Sequence, residues 1–113
     1  MLLTLLAQVA LAQNPLAVTH PKIAGGPIFY ADDYPMEARD NRWSGTDIAD
    51  LTINARGTVD QCVIVQSSGH KLLDDTFCRI LIKRARFRPA RDKDGNPVTD
   101  ILRTPAMSWE VSR

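Results

Sequence analysis

The sequence predicts an α+β domain in which two helices pack on one face of a three-stranded antiparallel sheet. Residues 46–55 and 59–66 each have the pattern of a strand, and a turn separates them. An apolar stripe of helical spacing follows at 72–85, and strand-type alternation returns near the C-terminus. The chain has 113 residues, of which 44% are hydrophobic and 24% charged, as is typical of one globular domain.

The first helix is predicted to be short. Pro35 suits a first helical turn because its fixed φ fits there, and Asp33 is placed to cap it. Gly45 then ends the segment. Residues 13–33 contain proline and glycine at a density that favours extended chain. We therefore predict an extended lead-in at 13–33, whose apolar patch at 28–30 attaches it to a domain at 34–113.

The strands and the second helix follow from periodicity. Ala49, Leu51, Ile53 and Ala55 alternate with a more polar set of residues, which predicts one buried face for the first strand. The turn at 56–57 contains a glycine and leads into a β-branched return strand. In the second helix the residues predicted to face the core are Leu73, Phe77, Ile80 and Leu81.

The last strand is predicted to be an edge strand, or to be bulged at Pro105. Proline has no N–H to donate to a β-ladder, so it is excluded from a central strand. Met107, Trp109 and Val111 alternate along this run and are predicted to share one face.

Residues 1–12 are predicted to be a signal peptide. They carry no charged side chain and end in Ala10-Leu11-Ala12, the A-x-A pattern of a signal-peptidase site. Twelve helical residues span about 18 Å, which is short against roughly 30 Å of bilayer hydrocarbon. We expect export, with cleavage before Gln13. The alternatives are a wrong start codon that truncates a longer anchor, and a buried N-terminal helix.

Cys62 and Cys78 are predicted to form one structural disulfide. An even cysteine count in an exported protein favours a bridge, which here would join the second strand to the second helix. Two thiolates alone do not complete a tetrahedral zinc shell. A nucleophilic cysteine needs a base and an orienting group, and the sequence offers no convincing pair. Two buried free thiols are the alternative.

Charge and side-chain chemistry argue against several function classes. The net charge of +1 gives no reason to expect a nucleic-acid partner. A basic cluster is interpreted as a solvated helix face and loop, with an anion-binding patch as the alternative; it comprises Arg79, Lys83, Arg84, Arg86, Arg88, Arg91 and Lys93. The adjacent carboxylates Asp32-Asp33 and Asp74-Asp75 are interpreted as caps. We therefore predict no enzyme activity, no metal or cofactor and no small-molecule substrate.

A set of motifs in fixed order runs through residues 33–111. The motifs are Tyr34-Pro35, Gly45, Gly57-Thr58-Val59, Cys62, Ser67-Ser68-Gly69, Leu73-Asp74, Cys78, Arg84-Ala85-Arg86-Phe87-Arg88-Pro89-Ala90, Gly95-Asn96-Pro97-Val98 and Trp109. Together they resemble the C-terminal domain of TonB-family energy transducers, and most closely the cysteine-bearing branch of that family.

The resemblance implies a periplasmic domain that binds the short N-terminal motif of outer-membrane receptors in energy-coupled transport. The receptor peptide would add as a strand to the sheet edge. The implied edge consists of Ile101, Leu102, Arg103, Thr104, Pro105, Ala106, Met107, Ser108, Trp109, Glu110 and Val111. The alternatives are a self-pairing assembly domain that forms a homodimer, and the C-terminal domain of an anchored transducer truncated by a wrong start codon.

Three features depart from the family pattern. Full transducers carry an N-terminal membrane helix and a Pro-rich spacer, and neither is recognised here, so we expect no anchor. Asp47 stands where the family has an apolar core residue. We expect it at a frayed strand start or near a basic partner. Pro105 removes one donor from the implied binding edge, which would weaken or bend strand addition.

Overall fold

The computed structural model describes residues 13–111, so the predicted signal peptide at 1–12 lies outside the described residues. In chain order the elements are β1 (Lys22–Ala24), a 3-10 turn (Ala31–Asp33), α1 (Met36–Asp40), β2 (Gly45–Ile53), β3 (Val59–Gln66), α2 (Lys71–Arg84), β4 (Arg86–Arg88), β5 (Ala90–Arg91), β6 (Pro97–Val98), β7 (Asp100–Arg103) and β8 (Met107–Trp109).

The main sheet is built around β2, which is antiparallel to all of its partners. Strand β3 pairs along one side of β2, whereas β7 and β8 pair with successive parts of its other side. Two small ladders, β1 with β4 and β5 with β6, lie outside this sheet. The α+β class with two helices is therefore confirmed. The prediction of three strands is wrong, because the last strand is divided and the smaller ladders are additional.

The break between β7 and β8 lies at residues 104–106 and follows from the chemistry of Pro105. Proline cannot donate to the ladder, and Thr104 makes the connection to β2 instead. Its backbone N–H donates to the carbonyl oxygen of Ala49 over 2.8 Å, and its hydroxyl accepts from the Ala49 N–H over 3.0 Å. A side-chain oxygen thus replaces a ladder acceptor where the strand bends.

Replacing Thr104 by valine is expected to lower the free energy of unfolding by about 1–2 kcal/mol. The variant keeps the shape of the side chain but removes the acceptor, which leaves the N–H of Ala49 unpaired. Urea denaturation would measure the change. Thr99→Val is the matched control, because Thr99 is exposed and its hydroxyl makes no hydrogen bond within residues 13–111. Equal stabilities of the two variants would contradict this role of Thr104.

The lead-in is more ordered than its composition predicts. Strand β1 pairs with β4, and the N–H of Val18 donates to the carbonyl of Arg91 over 2.7 Å. Further upstream, the N–H of Asn14 donates to the buried carboxylate of Asp100 over 2.7 Å. Proline and glycine report local backbone preference, whereas these contacts depend on strands more than sixty residues away in the chain.

Both helices contribute to one core on the same face of the sheet. Helix α1 buries Ala38, and α2 buries the predicted stripe, namely Leu73, Phe77, Ile80 and Leu81. The buried face of β2 consists of Ala49, Leu51 and Ile53, as its alternation predicted, but Ala55, predicted to share this face, is exposed because the strand ends at Ile53 and a turn follows. Burying each large aliphatic or aromatic side chain contributes about 1.5–3 kcal/mol.

The start of α1 differs from the prediction. The helix begins at Met36, so Pro35 occupies the position before the first turn, and Asp33 does not cap it. The Asp33 carboxylate instead accepts a hydrogen bond from the N–H of Tyr30 over 2.7 Å and forms an ion pair with Arg84 over 2.7 Å. The hydrogen bond from the Arg84 guanidinium is the main reason that the pKa of Asp33 is lowered.

The two cysteines are joined in the structure. The disulfide connects Cys62 on β3 to Cys78 on α2, with 5.7 Å between their Cα atoms. It therefore attaches the helix to the hairpin at the side opposite β7 and β8. The turn of that hairpin requires glycine at position 57, where φ is +84° and a Cβ atom would lie 2.0 Å from the carbonyl oxygen of Phe87.

Candidate peptide-binding edge

The edge predicted from the sequence is assembled from two short strands. Ile101–Arg103 belong to β7, residues 104–106 form the break, and β8 ends at Trp109, followed by Glu110 and Val111. Within residues 13–111, β7 and β8 each pair with β2 alone, so their outer side has no strand partner. Unpaired N–H and C=O groups along such an edge can template the pairing of another chain.

Not all of the predicted edge side chains are accessible. The Trp109 side chain is buried in the core, where its ring packs edge-to-face against Tyr34 at 5.4 Å and against Phe29 at 6.5 Å. Its role is to fix β8 against the helical face rather than to contact a partner. Ser108 and Ala106 are exposed, and Met107 is half-buried.

An apolar groove of about 930 Å³ lies beside this edge. One wall is formed by residues 102–107, the other by residues 21–23 and 28–29 of the lead-in, and core side chains including Phe77 line the groove between them. Phe29 stacks on Phe77, with ring centroids 5.6 Å apart, so the apolar patch predicted to attach the lead-in does so. This patch is the one sequence feature that indicated contact between the lead-in and the site.

On the face of the sheet away from the helices, an ion pair fixes β7 to β2. The Arg103 guanidinium donates from Nε to Oδ1 of Asp50 over 2.8 Å and from Nη2 to Oδ2 of Asp50 over 3.0 Å. The Asp50 carboxylate is buried, and its hydrogen bond raises the pKa of Arg103. This two-pronged contact orients the end of β7 at the point where the break begins.

Asp47 is neither frayed nor next to a cation, so both expectations for it are wrong. Its side chain is fully buried, and its carboxylate accepts from the indole N–H of Trp109 over 2.9 Å and from the N–H of Ser68 over 3.2 Å. The Asp74 carboxylate accepts from the same Ser68 N–H over 2.9 Å, so the two carboxyl groups are neighbours.

The pKa values of these two carboxyl groups are shifted in opposite directions. Burial, followed by the hydrogen bond with Asp74, raises the pKa of Asp47 to about 6. Burial also acts to raise the pKa of Asp74, but hydrogen bonds from Asp47 and from two serines, Ser67 and Ser68, outweigh it and lower that pKa to about 2. A proton bound by this pair therefore resides on Asp47, which can then donate to Asp74.

The described residues contain neither a cluster of metal-ligand side chains nor a membrane-spanning helix. Between residues 13 and 111, no three histidine, cysteine, aspartate or glutamate side chains converge as metal ligands. None of the helices in this part of the chain is long and apolar enough to cross a membrane. The geometry of the site is that of an open strand edge beside an apolar groove.

The family assignment comes from a sequence comparison. A family model described as "Gram-negative bacterial TonB protein C-terminal" matches residues 31–106, which is more than half of the chain. The chain belongs to this family. No curated protein matches it. The match to the family model confirms the resemblance to the TonB C-terminal family that the motifs indicated.

Membership of the TonB C-terminal family has consequences for function and place. The family consists of transducer and interaction domains, and membership implies involvement in TonB-type energy-coupled transport and a location in the cell envelope. The matched region begins at Ala31, so it contains β7 and the break but neither β1 nor β8. The groove is therefore bordered in part by residues that lie outside the match.

Proposed function

We propose that this TonB-family domain is a periplasmic protein-binding module whose β7–β8 edge pairs with the N-terminal motif of an outer-membrane receptor. The observation that supports this most directly is the unpaired outer side of β7 and β8 next to an apolar groove. Strand addition takes affinity from main-chain hydrogen bonds and specificity from pockets for alternate side chains. The edge supplies the first requirement and the groove the second.

The break at 104–106 shapes the proposed pairing. A peptide strand would form two short ladders, one on β7 and one on β8, because Pro105 offers no N–H between them. Leu102 and Met107 lie on either side of the break and both line the groove. Apolar side chains of the peptide would enter the groove there, so the interruption in hydrogen bonding coincides with the site of apolar contact.

The experiment is a titration of the isotope-labelled protein with N-terminal peptides of outer-membrane receptors, followed by amide chemical shifts. Ala106→Arg is expected to weaken binding about tenfold or more, because Ala106 lines the groove and arginine would occupy it. Ala55→Arg is the matched control, since Ala55 is exposed in the turn beyond β2. Shift changes confined to β3, or equal binding by both variants, would refute the proposal.

A second candidate is self-pairing through the other edge of the sheet. Within the described residues, the outer side of β3 has no strand partner along its eight residues, and Val63 and Val65 on it are 37% and 42% exposed. Such an edge can pair with its own copy. Light scattering over a concentration series would detect this, and a stable dimer that ignores receptor peptides would favour self-pairing over peptide binding.

A further inference from the structure

Strand β1 of the lead-in and strand β4 form a two-stranded ribbon beside the groove, and this ribbon has two chemically different faces. The register of this ribbon pairs Lys22 with Arg88, Ile23 with Phe87, and Ala24 with Arg86. Alternate residues of a strand face opposite sides. Ile23 and Phe87 therefore share one face, and both line the groove. Lys22, Arg86 and Arg88 share the other face, and all three are exposed; Lys22 also borders the groove, so the charged face adjoins it.

The cations of this face repel one another. Lys22 and Arg88 are direct cross-strand partners, an arrangement that destabilises a ladder when the charges are alike. No carboxylate within residues 13–111 forms an ion pair with Lys22, Arg86 or Arg88. Several other cations in this part of the chain also lack an ion pair, so what distinguishes the ribbon is that three such cations lie side by side on one face. An anion lying across the ribbon would relieve the repulsion.

The shape of the ribbon favours an extended acidic peptide over a flat anionic surface. Arg86 and Arg88 are two residues apart on one strand, which corresponds to roughly 6.6 Å, the spacing of alternate side chains in any extended chain. The charged face is three residues long, or about 10 Å, and only two strands wide. On the opposite face of the ribbon, Ile23 lines the groove and is 54% exposed. A peptide that leaves the groove on this side would therefore pass next to the ribbon.

We propose that Lys22, Arg86 and Arg88 bind an acidic stretch of the receptor chain that flanks the segment paired with β7–β8. This inference rests on the proposed function, because the strand-paired segment delivers the acidic stretch to the ribbon. The match to the TonB family model begins at Ala31, so Lys22 lies outside the matched region. The contacts are exposed charge pairs, which favour association at low ionic strength and are screened by salt.

The test uses two synthetic peptides that share one receptor N-terminal motif. One carries a Glu-Ser-Glu-Ser extension and the other a Ser-Ser-Ser-Ser extension. The whole protein is expected to bind the acidic peptide about tenfold more tightly at 20 mM salt and nearly equally at 500 mM salt. Arg88→Glu is expected to abolish this preference, and its new pairing with Lys22 should keep the ribbon folded. Lys93→Glu, an exposed control in the β5–β6 turn, is expected to retain it.

Each outcome decides between the two proposals. Equal binding of both peptides at low salt, or a preference that survives Arg88→Glu, would overturn the role of the ribbon and leave strand addition intact. Failure of both peptides to bind would overturn strand addition together with the ribbon. Arg88-dependent binding to phosphatidylglycerol vesicles, without any preference between the peptides, would identify a membrane-facing surface and also overturn the inference.

Discussion

Replacing Cys62 and Cys78 together with alanine is expected to lower the free energy of unfolding by about 3 kcal/mol. The disulfide closes a loop of 16 positions, and in the chain-entropy account such a cross-link removes freedom mainly from the unfolded chain. Domains of this size are stable by only about 5–15 kcal/mol. A loss of this size should therefore lower the midpoint of thermal unfolding by roughly 12–24 °C.

Urea denaturation of the oxidised protein, the reduced protein and the double alanine variant would measure this contribution. The reduced protein is the matched control, because it retains both side chains and lacks only the bond. The reduced protein and the alanine variant should agree to within about 1 kcal/mol, since both cysteines are only partly buried. Equal stability of the oxidised and reduced proteins would contradict a structural role for the bridge.

The elements defined by local periodicity could be predicted from the sequence. The alternation through Ala49, Leu51 and Ile53 and the helical spacing from Leu73 to Leu81 each arise from one face meeting the core. Val59–Gln66 and Lys71–Arg84 accordingly lie within one or two residues of their predicted bounds. Pro105 marked the position of the break because a missing N–H is a local property.

The pairing of distant segments could not be predicted in this way. Strand β1 exists because β4 offers it a partner, and neither three-residue segment has a period long enough to be recognised. The groove could not be predicted for the same reason, because one of its walls is formed by the lead-in. Asp47 is unusual for its position in the sequence, but its hydrogen-bond partners could not be predicted. They are Trp109 and the loop after β3, which are distant from Asp47 in the chain and meet it only in the folded protein.

Replacing Asp47 by asparagine is expected to stabilise the protein at pH 7 by about 1–3 kcal/mol. At that pH, above its raised pKa of about 6, Asp47 is a buried carboxylate next to the carboxylate of Asp74. The amide oxygen of asparagine can still accept from the indole N–H of Trp109, and its NH₂ group can donate to Asp74. The variant thus keeps the hydrogen bonds that attach β8 to β2 and removes the like-charge repulsion.

The same site predicts how stability depends on pH. Because its pKa is raised from 3.8 to about 6 on folding, Asp47 binds a proton more tightly in the folded state. Its protonated form therefore contributes stability fully below about pH 4, and this contribution is lost as the pH rises through 6. The expected loss for the wild type between pH 4 and pH 7 is about 2–3 kcal/mol. Asp74, with a pKa of about 2, makes the opposite contribution, but between about pH 2 and pH 4.

Urea denaturation from pH 4 to pH 8 would separate Asp47 from the other carboxylates. Asp75→Asn is the matched control, because Asp75 lies beside Asp74 on α2 and is exposed in a pair with Lys71. Asp75→Asn should retain the wild-type fall in stability between pH 4 and pH 7, and Asp47→Asn should flatten it. A fall of equal size in Asp47→Asn would exclude Asp47 as its source. Because Asp47 accepts from Trp109 of β8, the flattened profile would also locate the proton at the base of the proposed binding edge.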